Sequence, residues 1–171
     1  MNSRGITLIE LMIVIALIGI ILAISTMDFN SMQRKGQIDK QTREIVSDIV
    51  SLRIDAIQKK RRSAAFLGPK QIQFRSYSSD AEAVTAGTPI LTKNLSYTIN
   101  MLSGSTLTAP VVTTDYVLYD TRGFATFKTG TSSITLVALP VQYGGGDNCI
   151  LINPTSTNIG RMVDASTCTA R

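Results

Sequence analysis

Three groups of residues in this 171-residue chain have the type and spacing for chemistry. The first is Arg4-Gly5-Ile6-Thr7-Leu8-Ile9-Glu10, where a carboxylate, Glu10, stands near the start of an otherwise apolar run that continues to Ile24. A charge held in apolar surroundings is costly unless it is paired. The second group is Cys149 and Cys168, both late in the chain. An even cysteine count suits a disulfide in a domain outside the cytoplasm, and two free thiols are the alternative. Closing a loop of this size contributes about 3 kcal/mol in the chain-entropy account. The third group is Lys59-Lys60-Arg61-Arg62. Four cations at a helix end complement the helix dipole and pack their stems. A nucleic-acid or phospholipid site is the sharper reading, but no aromatic residue interleaves them.

Other chemistry is excluded by what the chain lacks. It has no histidine, no Cys-x-x-Cys pair and no nucleophile motif. Gly144-Gly145-Gly146 runs into Asp147 and not into a helix start, so it is no phosphate loop. We expect no enzyme activity, no cofactor and no metal. The formal charge of +5 is concentrated: residues 31–62 hold nine basic and four acidic side chains, residues 63–171 only seven and six. A nearly neutral C-terminal region argues against a nucleic-acid partner.

Three kinds of segment must position these groups. Ile6 to Ile24 is apolar apart from Thr7, Glu10 and Gly19. As a helix it would reach about 28 Å, close to the thickness of a bilayer core. From Ser31 to Arg62 the apolar residues Ile38, Ile45, Ile49, Leu52 and Ala56 recur at helical spacing, broadened by Val46, Val50, Ile54 and Ile57. No proline interrupts the pattern. One continuous helix of more than fifty residues is the expectation. After Gly68-Pro69 the period becomes two. Strands are expected at 71–75, 94–99, 116–119, 125–128, 133–139 and 149–152. Arg75 to Pro89 reads as a surface loop, and Gly144 to Asp147 as a turn. The fold class is therefore α+β, a long N-terminal helix packed on an antiparallel β-sheet head.

The order Gly5-Ile6-Thr7-Leu8-Ile9-Glu10 after a short leader with one basic residue resembles the type IV prepilin signal. That family is cut after the glycine by a prepilin peptidase on the cytoplasmic side. The resemblance implies cleavage between Gly5 and Ile6, N-methylation of Ile6, and a register role for Glu10. There the carboxylate would pair with the new amino terminus of a neighbouring subunit. Many members carry a proline near the end of the apolar run; Ser25-Thr26-Met27-Asp28 has none. Any bend would then fall to Gly19 and Ser25. Loop cations taken alone favour an amino terminus outside the cytoplasm. The cysteine pair and the leader favour the opposite orientation.

A second stretch, Tyr119-Asp120-Thr121-Arg122-Gly123-Phe124-Ala125, resembles the aromatic-Asp-x-Arg-Gly turn of GspH/FimT-type pseudopilins and minor pilins. Gly160-Arg161-Met162-Val163 sits where that group has Gly-Arg before its last strand. From the residues alone, Asp120 to Gly123 is a tight turn, with Gly123 in the left-handed region and Asp120 bonding the turn amides. Some relatives in DNA import end in Gly-Arg-x-Arg. Here Val163 replaces the second arginine and Asp164 follows, which argues against DNA. Arg161 is kept as a candidate ligand contact.

These resemblances imply a minor pilin or pseudopilin, a structural subunit of a type II secretion pseudopilus or a type IV pilus, at or near the filament tip. The alternative is a DNA- or substrate-binding minor pilin acting in DNA uptake. The parts expected are a leader (1–5), a transmembrane and assembly helix (6–30), its amphipathic continuation (31–62) and a β-rich head (63–171). The expected partners are other pilin or pseudopilin subunits, the prepilin peptidase, an inner-membrane assembly platform and membrane lipid before assembly. The expected location is the inner membrane, single-pass, with the head in the periplasm.

Overall fold

The computed structural model describes residues 7–103, 106–110, 115–128, 130–141 and 146–171; for 23–28, 103 and 106–110 only the backbone is described. The chain divides into two compact units, Met1–Gly36 and Gln37–Arg171. One helix, α1 (Leu8–Lys59), is continuous in its backbone assignment through Gly19 and Gly36. No break occurs across residues 25–28, where the sequence has no proline.

In the first unit the described apolar side chains of α1 are exposed. Thr7 caps the helix: its Oγ1 accepts from Glu10 N at 3.3 Å and its carbonyl accepts from Leu11 N at 3.2 Å. Thr-x-x-Glu at a helix start is the sequence form of a capping box.

In the second unit the pattern is amphipathic. Ile38, Ile45, Ile49, Leu52 and Ala56 are all buried, as their spacing predicts. Ile54 is an exception to the expected broad stripe and lies 45% exposed. The helix stops at Lys59, three residues before the expected Arg62. Lys60 adopts φ 53° and Arg61 N bonds the Ala56 carbonyl at 3.2 Å. This is a left-handed cap closed by a six-to-one bond, here without glycine.

Among the described residues eleven strands follow: β1 (Ser63–Leu67), β2 (Gln71–Ser76), β3 (Thr88–Asn94), β4 (Ile99–Ser103), β5 (Thr106–Pro110), β6 (Asp115–Tyr119), β7 (Ala125–Phe127), β8 (Ile134–Ala138), β9 (Cys149–Ile152), β10 (Thr157–Met162) and β11 (Cys168–Ala170). They form two antiparallel sheets, ordered β3-β2-β1-β6-β7 and β11-β10-β9-β8-β4-β5. The buried stripe of α1 joins one core with Ala65, Leu67, Ile72, Phe74, Val117 and Tyr119 of the first sheet and Ile99, Leu136, Ile150 and Ile152 of the second. Burial raises the Tyr119 hydroxyl above its ordinary range, and Thr157 Oγ1 lies 3.5 Å from it.

Two strand boundaries differ from expectation. The alternation at 94–99 is a connection between sheets, not a strand. Leu95 N bonds the Lys70 carbonyl and Ile99 N the Pro69 carbonyl, both at 2.8 Å, so residues 95–98 pass from one sheet to the other. Leu95 and Ile99 are buried because both sheets cover the crossing. The expected loop 75–89 is shorter than its bounds, since its ends belong to β2 and β3. Between them, a single 3-10 turn (Val84–Ala86) is bound to β2 through Arg75 Nη1 and the Thr85 carbonyl, 2.6 Å apart.

The edge strand β3 is exposed at most of its positions. Its Lys93 turns inward and bonds Asp48 at 2.6 Å, with Glu44 at 3.4 Å. Burial alone would lower the Lys93 ammonium; the two carboxylates outweigh it and hold it above the ordinary range.

Candidate functional site

Of the N-terminal residues singled out by sequence, Gly5 and Ile6 lie outside the described residues. Glu10 is described. It occupies the first turn of α1, where a carboxylate complements the positive end of the helix dipole, and its side chain is exposed. Thr7, which sequence reading did not weigh, orders the backbone beneath it. Thr-x-x-Glu was the available signal. From Leu8 to Leu22 the helix is apolar on every side apart from Glu10, and Leu8, Ile9, Ile15 and Ile21 are 77%, 64%, 60% and 63% exposed. Such a surface is stable in water only if something covers it. Among the described residues no helix is long and apolar enough to cross a membrane.

Cys149 and Cys168 form a disulfide with 6.2 Å between Cα atoms. The bridge spans a strand. Cys149 lies in β9 and Cys168 in β11, with β10 between them. Gly160 of β10 pairs with both Cys149 and Ala170. A Cβ on Gly160 would stand 2.9 Å from Cys168 Sγ and 2.6 Å from the Thr169 carbonyl oxygen. The glycine of the Gly160-Arg161 pair is thus required by the bridge that crosses it. Arg161 is half-buried, and its guanidinium makes no hydrogen bond or ion pair among the described residues. Asp164, beyond Val163, accepts from Ser166 N and Oγ at 2.7 and 2.8 Å, which holds its carboxyl below the usual carboxylate range.

The turn after Tyr119 is as the residues predict. Asp120 Oδ1 accepts from Arg122 N at 2.9 Å and Phe124 N at 2.8 Å, and Gly123 has φ 84°. It packs on α1 so closely that a Cβ on Gly123 would meet Ile57 Cδ1 at 2.6 Å. This is a clasp, with no chemistry assigned to it.

The basic quartet disperses. Lys59 pairs with Asp55 at 2.6 Å, and Lys60 forms the helix cap. Arg62 leaves the helix, stacks 5.2 Å over the Tyr77 ring, and donates to the Ser79 and Glu82 carbonyls. Elsewhere Asp147, 2% exposed, accepts from Arg43 Nη2 at 2.5 Å, while Asp147 N bonds Asp39 Oδ1. Hydrogen bonding to Asp39, and the charges of Asp39 and Asp147, raise the Arg43 guanidinium further above its ordinary range. Among the described residues no cluster of three or more acidic or cysteine ligands is arranged for a metal ion.

Residues 1–26 match the family described as the prokaryotic N-terminal methylation motif. No curated protein matches the sequence. Among solved structures, the chain is similar to the type IV minor pilin FimU of Pseudomonas aeruginosa, strain PAO1. The TM-score is 0.51 at 10% identity, over 83% of this chain and 95% of that one. At that identity the likeness is one of fold. The chain carries a prokaryotic N-terminal methylation motif on the pilin-like α+β fold of a type IV minor pilin.

Proposed function

We propose that the protein is a minor pilin or pseudopilin, a structural subunit of a type IV pilus or a type II secretion pseudopilus. One observation carries the reading: a methylation motif at residues 1–26 opens directly into a helix whose apolar side chains are uncovered within the chain. In this reading Ile6 to Ile24 first lies in the inner membrane, with the head in the periplasm. A disulfide-bonded head suits an oxidising compartment. The prepilin peptidase cuts after Gly5, and Ile6 becomes the methylated amino terminus. The assembly platform then moves the helix from lipid into a filament, where neighbouring helices replace the acyl chains.

Glu10 acts in register. Cleavage leaves an ammonium at Ile6, and burying either charge alone is costly. A carboxylate one turn along a neighbouring helix neutralises it only at one axial offset. The pairing selects a position more than it adds stability. The H-like resemblance of the head favours a place at or near the filament tip. DNA uptake is the second reading, favoured only by the Arg161 guanidinium, which has no partner among the described residues, and the near-neutral head opposes it.

Mass spectrometry of the protein from its native membrane tests the assignment. A mature chain beginning at N-methylated Ile6 is expected, and an intact Met1 in peptidase-competent cells overturns it. Glu10→Ala should leave insertion and cleavage intact and lower recovery in sheared filaments by about tenfold, the effect of losing roughly 1.4 kcal/mol of selective pairing. Undiminished recovery removes the register role.

A further inference from the structure

The outer face of the first sheet holds a half-open cavity of about 300 Å³, lined by Phe66, Gln71, Gln73 and Arg75. Because Ile72 and Phe74 point into the core, strand alternation sends Gln71, Gln73 and Arg75 to this outer face. Arg75 is held on three sides. Its Nε and Nη2 donate to Gln73 Oε1 at 2.8 and 2.6 Å, its Nη1 donates to the Thr85 carbonyl at 2.6 Å, and its plane lies 4.5 Å from the Phe66 ring. Tyr116 stands beside Phe66, ring centroids 5.6 Å apart.

We propose that this cavity binds the carboxylate of an acidic saccharide, using Arg75 and Gln73 as donors beside the ring of Phe66. The argument is one of unspent donors. A guanidinium carries five N–H groups. Three of those on Arg75 are used, which leaves two. Among the described residues the Gln73 amide is engaged only through its oxygen, so its NH₂ is also available, and no carboxylate lines the cavity. The surplus is positive and donor-rich in a side chain already fixed in position, so little ordering entropy is lost on binding. A ring-borne carboxylate fits better than the carboxylate of an acidic peptide. Its hydroxyls satisfy the Gln71 and Gln73 amides. A glutamate stem offers the amides nothing.

The test uses the full chain in detergent micelles, disulfide intact, titrated with trigalacturonate and followed by amide chemical shifts. Shifts at 66, 71–75 and 116 are expected. Neutral maltotriose should bind about tenfold more weakly, the loss of one charge-assisted contact. Gln71→Glu touches none of the bonds that hold Arg75; it should weaken trigalacturonate binding about fivefold by like-charge repulsion. Arg75→Lys, which keeps the charge but loses the stacked fork, should also weaken it. Triglutamate or inorganic phosphate binding as tightly as trigalacturonate overturns the saccharide assignment. Absence of shifts at these strands, or a Gln71→Glu chain that binds unchanged, overturns the site.

Discussion

Leu8 is 77% exposed and Val14 48%; Ile45 is 1% and Ile49 0%. These residues belong to one helix and to similar side-chain types, yet their burial is opposite. The difference lies in pattern. Residues 8–22, apart from Glu10, are apolar around the whole circumference, so no single face can be satisfied by one partner. Residues 38–56 confine their apolar groups to a stripe, and the two sheets cover it. The C-terminal half of α1 is stabilised by its own chain. The described apolar side chains of the N-terminal half find no cover within the chain. On the proposed function, lipid and then neighbouring subunits supply it.

The sharpest test of that contrast is a pair of truncations. Ile49→Ala should destabilise the head by about 4 kcal/mol, transfer and cavity costs together, whereas Ile13→Ala should alter it by less than about 0.5 kcal/mol. Chemical denaturation followed by tyrosine fluorescence reads both; equal effects would break the comparison. Next in size is the disulfide. Replacing both Cys149 and Cys168 by serine frees a link of sequence separation 19. The head should lose about 3 kcal/mol, with helicity of the N-terminal half unchanged. Gly160→Ala should cost about 2 kcal/mol by forcing a methyl between the bridge and the Thr169 carbonyl. It should also raise the free-thiol fraction on titration with a thiol reagent. Smallest is Thr7→Ala, about 1 kcal/mol for a lost cap, read as faster amide exchange at Glu10 in micelles with the head unaffected.

Much of this was legible in sequence, and the failures have physical causes. The stripe of α1 could be read because helix burial is one-sided, and β9 because its four residues carry a short apolar run between turns. β1 did not register: its burial pattern has almost no alternation, because Ala64 and Ala65 are both buried. The reading of 94–99 as a strand mistook a two-sheet crossing for pleat alternation. Both bury every second apolar residue. Arg62 was read with its neighbours as a cation closing the helix, but it lies beyond the helix, where Tyr77 and the carbonyls of the following loop capture it. At the candidate sites, Glu10 and the cysteine pair were visible from type and position. The reason for Gly160 was not, since it needs a bridge that passes over a middle strand. Gln71, Gln73 and Arg75 looked like an ordinary polar face, because nothing in their spacing reveals which donors are already spent.

The edge strand β3 carries a consequence for life at high local concentration. Pro89 has no N–H to offer, a register shift opposite it disturbs the ladder between Phe74 and Arg75, and Lys93 fixes a charge against α1. Each device makes the strand a poor template for another backbone. On the proposed function, heads crowded side by side would therefore find β3, one of the four sheet edges, a poor strand to extend.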